Sequence, residues 1–292
     1  MKYYVKIINN TQTIMKCFFS IVLIFYISII VHAQDTDSIK VDILLDNVLL
    51  EQSDISTKFI NAVEYTSDGY ILLSSPTQFY LLGLGGIATI LESWSDENDI
   101  ESFTVSSDGR LLIVSGNTLY QAYQDPPFVV ITDIPDSGMD ITSKYNEIYV
   151  FDRILKDYKR NYSIYQISEN IEITPLVTMP TPILSVFELP GLLIFSTKNI
   201  LFSMDIKTKN LFQILVLPQE DDIFSIVGDT INHAFYFSTD NAIYRIKDRK
   251  FEIITEEFGG SLRYDREGLL IFNPEKQLII RLRSNLLYSV AD

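Results

Sequence analysis

The residue types that carry most enzyme chemistry are scarce in this chain. Its 292 residues include two histidines and one cysteine, which excludes thiolate zinc clusters, disulfide frameworks and multi-histidine metal sites. His233 lies in the body of the chain at a predicted turn, either as half of a histidine–nucleophile pair or, more simply, as a solvated turn residue. The sequence contains no Gly-x-x-x-x-Gly-Lys-Ser/Thr phosphate loop. We therefore predict no catalytic residue.

Carboxylates, by contrast, are abundant. Asp and Glu number 38 against 23 Lys and Arg, and the formal net charge is −15. An acidic surface repels phosphate backbones, so nucleic acid is not an expected partner. We expect no cofactor. The composition is compatible with a bound calcium ion, because the ligands of calcium in proteins are oxygen atoms. The sequence identifies no metal ligand.

The N-terminus has the pattern of an export signal. Residues 18–31 form an uncharged apolar run that follows three lysines and precedes a polar stretch. A membrane-spanning helix needs about 20 apolar residues, whereas the apolar region of a signal peptide needs about 7–15. Residues 1–33 are therefore predicted to be a signal peptide cleaved after Ala33, with an uncleaved anchor as the alternative. Translation starts at Met1 or at Met15. The mature protein is expected in the periplasm, on the outer surface or in the medium, without an integral membrane domain.

The remaining sequence repeats six times. One recurring unit is a turn rich in Gly or Asn followed by a short apolar strand, as in Ser107-Asp108-Gly109 before RLLIVS. A second unit follows each strand and consists of an apolar residue and then a usually aromatic one. Its copies are Phe79-Tyr80, Leu119-Tyr120, Ile164-Tyr165, Leu201-Phe202, Ile243-Tyr244 and Leu278-Ile279. They are 35 to 45 residues apart, a period that indicates a repeat architecture.

Each period predicts four short strands, and a radially repeated sheet explains why many of these strands are apolar throughout. We therefore predict an all-β chain that forms a monomeric six-bladed β-propeller of four-stranded antiparallel blades over residues 53–292. The last blade is assigned the strands 261–265, 269–273, 277–283 and 286–292. In the N-terminal segment 34–52, residues 39–50 are predicted to form an extra strand that closes the ring beside that blade.

These repeats resemble the six-bladed β-propellers of the NHL, gluconolactonase-like and bacterial sensor-propeller group. The resemblance covers nearly the whole mature chain; it implies the fold and leaves the function open. Lactonase-type propellers hold a metal with Glu, Asn and Asp in a Ser-Asn-Gly-Leu context, and this chain has no such motif. We therefore expect an exported, non-catalytic module for protein or ligand binding or for scaffolding. The alternative is a metal-dependent hydrolase or lactonase with its site in the central channel.

One face of the predicted propeller concentrates acid. The loops between blades share this face with the turns between second and third strands. We call its carboxylates the acidic face: Asp96, Glu97, Asp99, Asp133, Asp136, Glu220, Asp221, Asp222, Glu256 and Glu257. Either these carboxylates are simply hydrated side chains of surface loops, or they attract a cation or a basic protein surface.

One insertion breaks the repeat. Residues 151–162 (FDRILKDYKRNY) replace a short turn in the third blade, on the same side as the acidic face. Long loops in compact domains are functional or disordered, and Arg and Tyr are enriched at protein interfaces. The candidate contact residues are Arg153, Lys156, Tyr158, Lys159, Arg160 and Tyr162. The expected partner is a protein or an envelope complex, and an idle loop is the alternative.

Overall fold

The computed structural model shows an all-β protein. The residues that it describes are 3–6, 26–29, 42–46, 60–66, 69–83, 88–94, 98–123, 125–143, 147–156, 159–218, 221–229, 233–248, 250–264 and 268–283. Six four-stranded antiparallel sheets are present, and the inner strands of all six line one central cavity. The predicted six-bladed β-propeller is confirmed.

In the described part of the chain, three strands precede the first blade. β1 (Tyr3–Lys6) and β2 (Tyr26–Ile29) pair antiparallel with each other, and β3 (Asp42–Leu45) joins the last blade. β1 and β2 fall within the predicted signal segment, and both the signal peptide and the domain boundaries at residues 33 and 52 stay predictions. Within the described ranges, no helix has the length and hydropathy that a membrane crossing requires.

The first three blades contain β4 to β15, and the first strand of each blade is the innermost. Blade 1 contains β4 (Ala62–Tyr65), β5 (Ile71–Ser75), β6 (Gln78–Leu82) and β7 (Ala88–Ser93). Blade 2 contains β8 (Ile100–Val105), β9 (Leu111–Ser115), β10 (Thr118–Tyr123) and β11 (Asp125–Asp133). Blade 3 contains β12 (Met139–Thr142), β13 (Ile148–Asp152), β14 (Tyr162–Ile167) and β15 (Ile173–Met179).

The other three blades contain β16 to β26 together with β3. Blade 4 contains β16 (Ser185–Leu189), β17 (Leu192–Thr197), β18 (Ile200–Asp205) and β19 (Leu211–Val216). Blade 5 contains β20 (Ser225–Asp229), β21 (Ala234–Ser238), β22 (Ile243–Lys247) and β23 (Lys250–Thr255). Blade 6 contains β24 (Ser261–Tyr264), β25 (Gly268–Asn273), β26 (Leu278–Arg283) and β3.

The hydrophobic core lies between neighbouring blades. Leu112 and Val114 of blade 2 pack in one cluster with Ile141 and Val150 of blade 3. Since each blade packs on a neighbour at both faces, second strands such as β5 and β13 are buried at every position. This packing explains why their sequences are continuously apolar rather than alternating.

The ring is closed by the N-terminal strand β3. Ile43 pairs with Ile280 of β26, and Leu45 is buried in a cluster that joins blade 6 to blade 1. A strand from the start of the chain thereby ties both ends of the ring with backbone hydrogen bonds. The assignment of residues 286–292 as the fourth strand of this blade is wrong, because β26 has β25 at one edge and β3 at the other. Those residues lie outside the described part of the chain.

Candidate functional site

The inner strands surround a cavity of about 340 Å³. Every blade contributes to its wall, and the wall is rich in hydroxyl groups and in charged side chains. The lining residues include Glu64, Thr104, Asp140, Thr142, Arg153, Phe187, Ser261 and Arg263. The cavity is therefore polar and charged rather than an apolar pocket.

Glu64 and Arg263 form an ion pair across the junction of blades 1 and 6. Arg263 Nε lies 2.8 Å from Glu64 Oε2, and Arg263 Nη1 donates to the Leu262 carbonyl at 2.8 Å. Thr104 Oγ1 of blade 2 also donates to Glu64 Oε2, at 3.3 Å. One carboxylate thus connects three consecutive blades around the channel.

Asp140 and Arg153 form a second ion pair in blade 3. Arg153 Nη1 donates to Asp140 Oδ2 at 2.7 Å, and Ser102 Oγ of blade 2 donates to Asp140 Oδ1. The amide of Ile141 donates to the same Oδ1 at 2.8 Å. Arg153 is the first residue of the insertion after β13, so the insertion supplies one wall of the cavity.

A calcium or lactonase-type metal centre does not fit these donors. Glu64 and Asp140 are each bound by a guanidinium, so their charge is already neutralised by the protein. Within the described ranges, no group of three or more His, Cys, Asp and Glu side chains is arranged to hold a metal ion. The cavity wall offers ion pairs and hydroxyl groups instead of a converging set of carboxylates.

The insertion is fixed to its own blade by two lysines. Lys159 Nζ lies 2.5 Å from Asp152 Oδ1 and 2.9 Å from Asp136 Oδ2. Lys156 Nζ lies 2.9 Å from Asp136 Oδ1 and also donates to the Ser137 carbonyl. Burial opposes the charged form of Lys159, but the bonds and charges of Asp152 and Asp136 outweigh it and raise the pKa of Lys159. The cations of the insertion therefore serve mainly to hold the loop.

Tyr162 fixes the other end of the insertion from inside the fold. Its ring is 1% exposed, its hydroxyl accepts from the amide of Lys156 at 3.2 Å, and it also lies within hydrogen-bond distance of the carbonyls of Lys156 and Lys159. Tyr162 is thus a positioning residue, and its ring is not displayed to a partner. Tyr158 lies outside the described residues.

Four described residues of the insertion are exposed, Ile154, Leu155, Arg160 and Asn161. We call Ile154, Leu155 and Arg160 the insertion surface. Ile154 is 55% exposed and Leu155 72% exposed; Arg160 is also exposed. One side of Ile154 rests on the preceding loop, where a Cβ on Gly138 would meet its Cδ1 at 3.1 Å. Arg160 could be selected from the sequence by its charge, whereas the two aliphatic residues have neither the charge nor the aromatic character that marked the other candidates.

The acidic face divides into two sectors. In blades 2 and 3, Asp136 is neutralised by Lys156 and Lys159, and although burial opposes it, their bonds lower the pKa of Asp136. In blades 4 to 6, burial raises the pKa of Asp240, and the charges of Glu275, Asp222 and Asp221 raise it further. We call these four residues the acidic sector. Asp240 and Glu275 were missed by the sequence analysis, although they lie in turns between second and third strands.

The other predicted residues are distributed around the rim. Asp99, Asp133, Glu256 and Glu257 are exposed, whereas Asp96, Glu97 and Glu220 lie outside the described residues. His233 occupies the turn before β21 with a φ of 53°, so it lies at a turn, as the sequence predicts. The structure does not gather these residues into one chemical site.

No family model and no curated protein matches the chain. The fold is similar to that of virginiamycin B lyase from Staphylococcus aureus, with a TM-score of 0.56 and 14% identity over 77% of this chain and 80% of that one. A gluconolactonase from Xanthomonas campestris matches with a TM-score of 0.61 and 10% identity, over 78% and 86% of the two chains. An extracellular domain from B. thetaiotaomicron matches with a TM-score of 0.52 and 11% identity; the match covers 77% of this chain and 38% of that one. These likenesses show the propeller fold.

Proposed function

We propose that this protein is an exported, non-catalytic propeller that binds a partner protein through the insertion surface. One observation carries the proposal: the insertion presents two large aliphatic side chains to solvent while its own ion pairs hold it in place. Leu155 is 72% exposed, whereas Arg153, Lys156 and Lys159 are paired with carboxylates of blade 3 or of the loop that enters it. A long loop fixed in this way is typical of a binding element.

The internal ion pairs support binding because they order the loop before a partner arrives. Association normally costs about 0.5–1.5 kcal/mol for each rotamer-rich side chain that becomes immobilised. Lys156, Lys159 and Tyr162 meet that cost during folding, since their contacts lie within the blade. A partner can then bury Ile154 and Leu155 of the insertion surface with little further loss of conformational entropy in the loop.

The chemistry of the tip defines the partner. Ile154 and Leu155 are large, apolar and exposed, so they fit an apolar pocket on the partner's surface. Arg160 is exposed and has no ion pair with a described residue, so a carboxylate at the edge of that pocket would complete it. The channel supports a non-catalytic role, because its carboxylates Glu64 and Asp140 are both held in ion pairs with arginines.

Site-specific photo-cross-linking tests the proposal. A photoreactive amino acid is placed at position 155, in the full chain produced in its native cells, and at position 129 as a matched control. Val129 lies on the outer strand of blade 2 and is 54% exposed. We expect one discrete heterologous adduct at position 155, lost with Arg160→Glu, and none at position 129. Three results would overturn the proposal. They are an adduct between two copies of this chain, an adduct that still forms with Arg160→Glu, and equal adducts at both positions.

The acidic sector carries a second candidate function, the recognition of a basic surface. Its support is the proximity of four carboxylates: burial raises the pKa of Asp240, and the charges of Glu275, Asp222 and Asp221 raise it further. A decalysine peptide serves as the probe, and its binding is measured by fluorescence anisotropy at low salt. The variant Asp221→Asn/Asp240→Asn/Glu275→Gln should lose binding, whereas the variant Glu169→Gln/Glu172→Gln/Asp248→Asn, with the same charge change at the opposite face, should keep it. Equal binding by both variants would remove this candidate.

A further inference from the structure

Two guanidinium groups face the central cavity with donors that no described residue uses. Arg153 commits Nη1 to Asp140, and Arg263 commits Nε to Glu64 and Nη1 to the Leu262 carbonyl. A guanidinium has five N–H donors, so each arginine keeps donors without a partner among the described residues. Both side chains are accessible, at 38% and 29% of their surface. These donors can therefore reach a molecule in the cavity.

The same wall keeps acceptors beside these donors. An ionised carboxylate has about four lone-pair sites, and Asp140 Oδ2 accepts from Arg153 alone among the described residues. Thr142 and Ser261 add hydroxyl groups to the lining. Donor and acceptor groups thus lie side by side at each ion pair, an arrangement that suits a ligand whose own groups both donate and accept.

The charges in the cavity balance. Each arginine is paired with one carboxylate, Arg153 with Asp140 and Arg263 with Glu64. A charged ligand would add an uncompensated charge to this arrangement, and an anion would also meet the field of a chain with a net charge of −15. The electrostatics therefore favour a ligand without net charge.

We infer that the central cavity binds a small uncharged molecule with adjacent hydroxyl groups, in which one oxygen accepts from a guanidinium and its neighbour donates to the paired carboxylate. The volume of about 340 Å³ lies within the roughly 300–1,000 Å³ of ligand pockets in proteins. The inference is independent of partner binding, because Ile154, Leu155 and Arg160 are not among the lining residues. It assigns the cavity a recognition role without a chemical step.

Three small probes of similar size test the charge selectivity. They are myo-inositol, which is neutral, glucarate, which is a dianion, and glucosamine, which is a cation. Binding to the full chain is followed by NMR shift changes of the methyl groups of Thr142 and Thr104 during titration. We expect saturable changes with myo-inositol and weaker changes, or none, with the two charged probes. Stronger binding of either charged probe, or no binding of any probe, would overturn the inference.

A lysine substitution tests the role of the guanidinium. Arg263→Lys keeps the positive charge beside Glu64 but removes the planar array of donors. Its affinity for myo-inositol should fall several-fold while its melting temperature stays close to that of the wild type. Arg283→Lys is the matched control, since Arg283 Nε makes the same kind of contact with Asp42 at 2.6 Å outside the cavity. Equal affinity of the Arg263→Lys variant and the wild type would contradict the assignment. The Leu155→Ser variant, which leaves the cavity intact, should bind the probe normally whether or not the partner-binding proposal holds.

Discussion

Lys159 Nζ lies 2.5 Å from Asp152 Oδ1, and this contact joins the insertion to a fixed position of the repeat. Asp152 is opposite the first residue of its inner strand, where Ser196 of blade 4 and Ser238 of blade 5 are also found. All three side chains are buried. Blade 3 thus combines a carboxylate at a position that takes serine in blades 4 and 5 with an insertion that provides its counter-ion.

Removal of Lys159 should therefore destabilise the fold. Lys159→Met leaves the carboxylate of Asp152, whose side chain is 2% exposed, without its counter-ion. Breaking a buried ion pair from one side costs about 3–5 kcal/mol, so we expect a loss of about 3 kcal/mol in the free energy of unfolding measured with urea.

Two controls separate the buried charge from general damage. Asp152→Asn/Lys159→Met should regain most of the stability, since the amide oxygen can still accept from the Ser163 amide, as Asp152 Oδ2 does at 2.8 Å. Arg110→Met, which breaks a more exposed pair with Asp108, should cost less than about 1 kcal/mol. A double variant as unstable as Lys159→Met would contradict the account.

The contribution of Lys159 should depend on pH in a defined way. Its folded pKa is raised, so its contribution is complete below the unfolded value of about 10.4 and is lost as the pH rises through the folded pKa. The pKa of Asp136 is lowered, so its contribution is complete above about 3.9 and is lost as the pH falls through the folded pKa. The stability difference between wild type and Lys159→Met should be constant near neutrality and shrink at both extremes. A difference that stays unchanged at both extremes of pH would show that the ion pairs do not cause it.

Ring closure by β3 predicts a large effect at Leu45. This side chain is 1% exposed in the cluster between blades 6 and 1, so Leu45→Ala should destabilise the protein by about 2–5 kcal/mol. Leu155→Ala is the matched control, because it makes the same chemical change at an exposed site and should stay within about 0.5 kcal/mol. Equal melting temperatures of the two variants would argue against the pairing of β3 with β26.

The contact between blades 4 and 5 predicts a steric effect at Gly228. A Cβ at this position would meet Phe187 Cε1 at 2.6 Å, so Gly228→Ala forces the ring to move. Overpacking of this kind typically costs about 1–3 kcal/mol. Gly228→Ala/Phe187→Leu should recover part of the loss in thermal unfolding, and a double variant no more stable than Gly228→Ala would contradict the contact.

The blades could be predicted from sequence because their turns and apolar strands repeat at nearly constant spacing. The fourth strand of blade 6 could not, since the pairing of Ile43 with Ile280 joins segments from opposite ends of the chain. Residues 286–292 have the same strand pattern in sequence as β3. Local pattern alone does not decide which of the two segments pairs with β26.

The channel residues could not be predicted from the sequence for a different reason. Glu64, Asp140 and Arg263 occupy short inner strands where no motif surrounds them, and their significance lies in ion pairs that involve separate strands or loops. The insertion was recognised by its length. Its ion pairs could not be predicted, because the partners of Lys156 and Lys159 include Asp136, which lies in a loop that precedes β12. While these ion pairs hold the lysines against the blade, Ile154 and Leu155 are the large apolar side chains that remain exposed.

The affinity of the cross-linked partner for defined variants is the most direct test of the partner-binding account. Isothermal titration calorimetry compares wild type, Leu155→Ser and the control Val129→Ser, which also replaces an exposed aliphatic side chain by serine. The account predicts at least about tenfold weaker binding for Leu155→Ser, equivalent to about 1.4 kcal/mol, with Val129→Ser equal to wild type. Equal affinities for wild type and Leu155→Ser would contradict it.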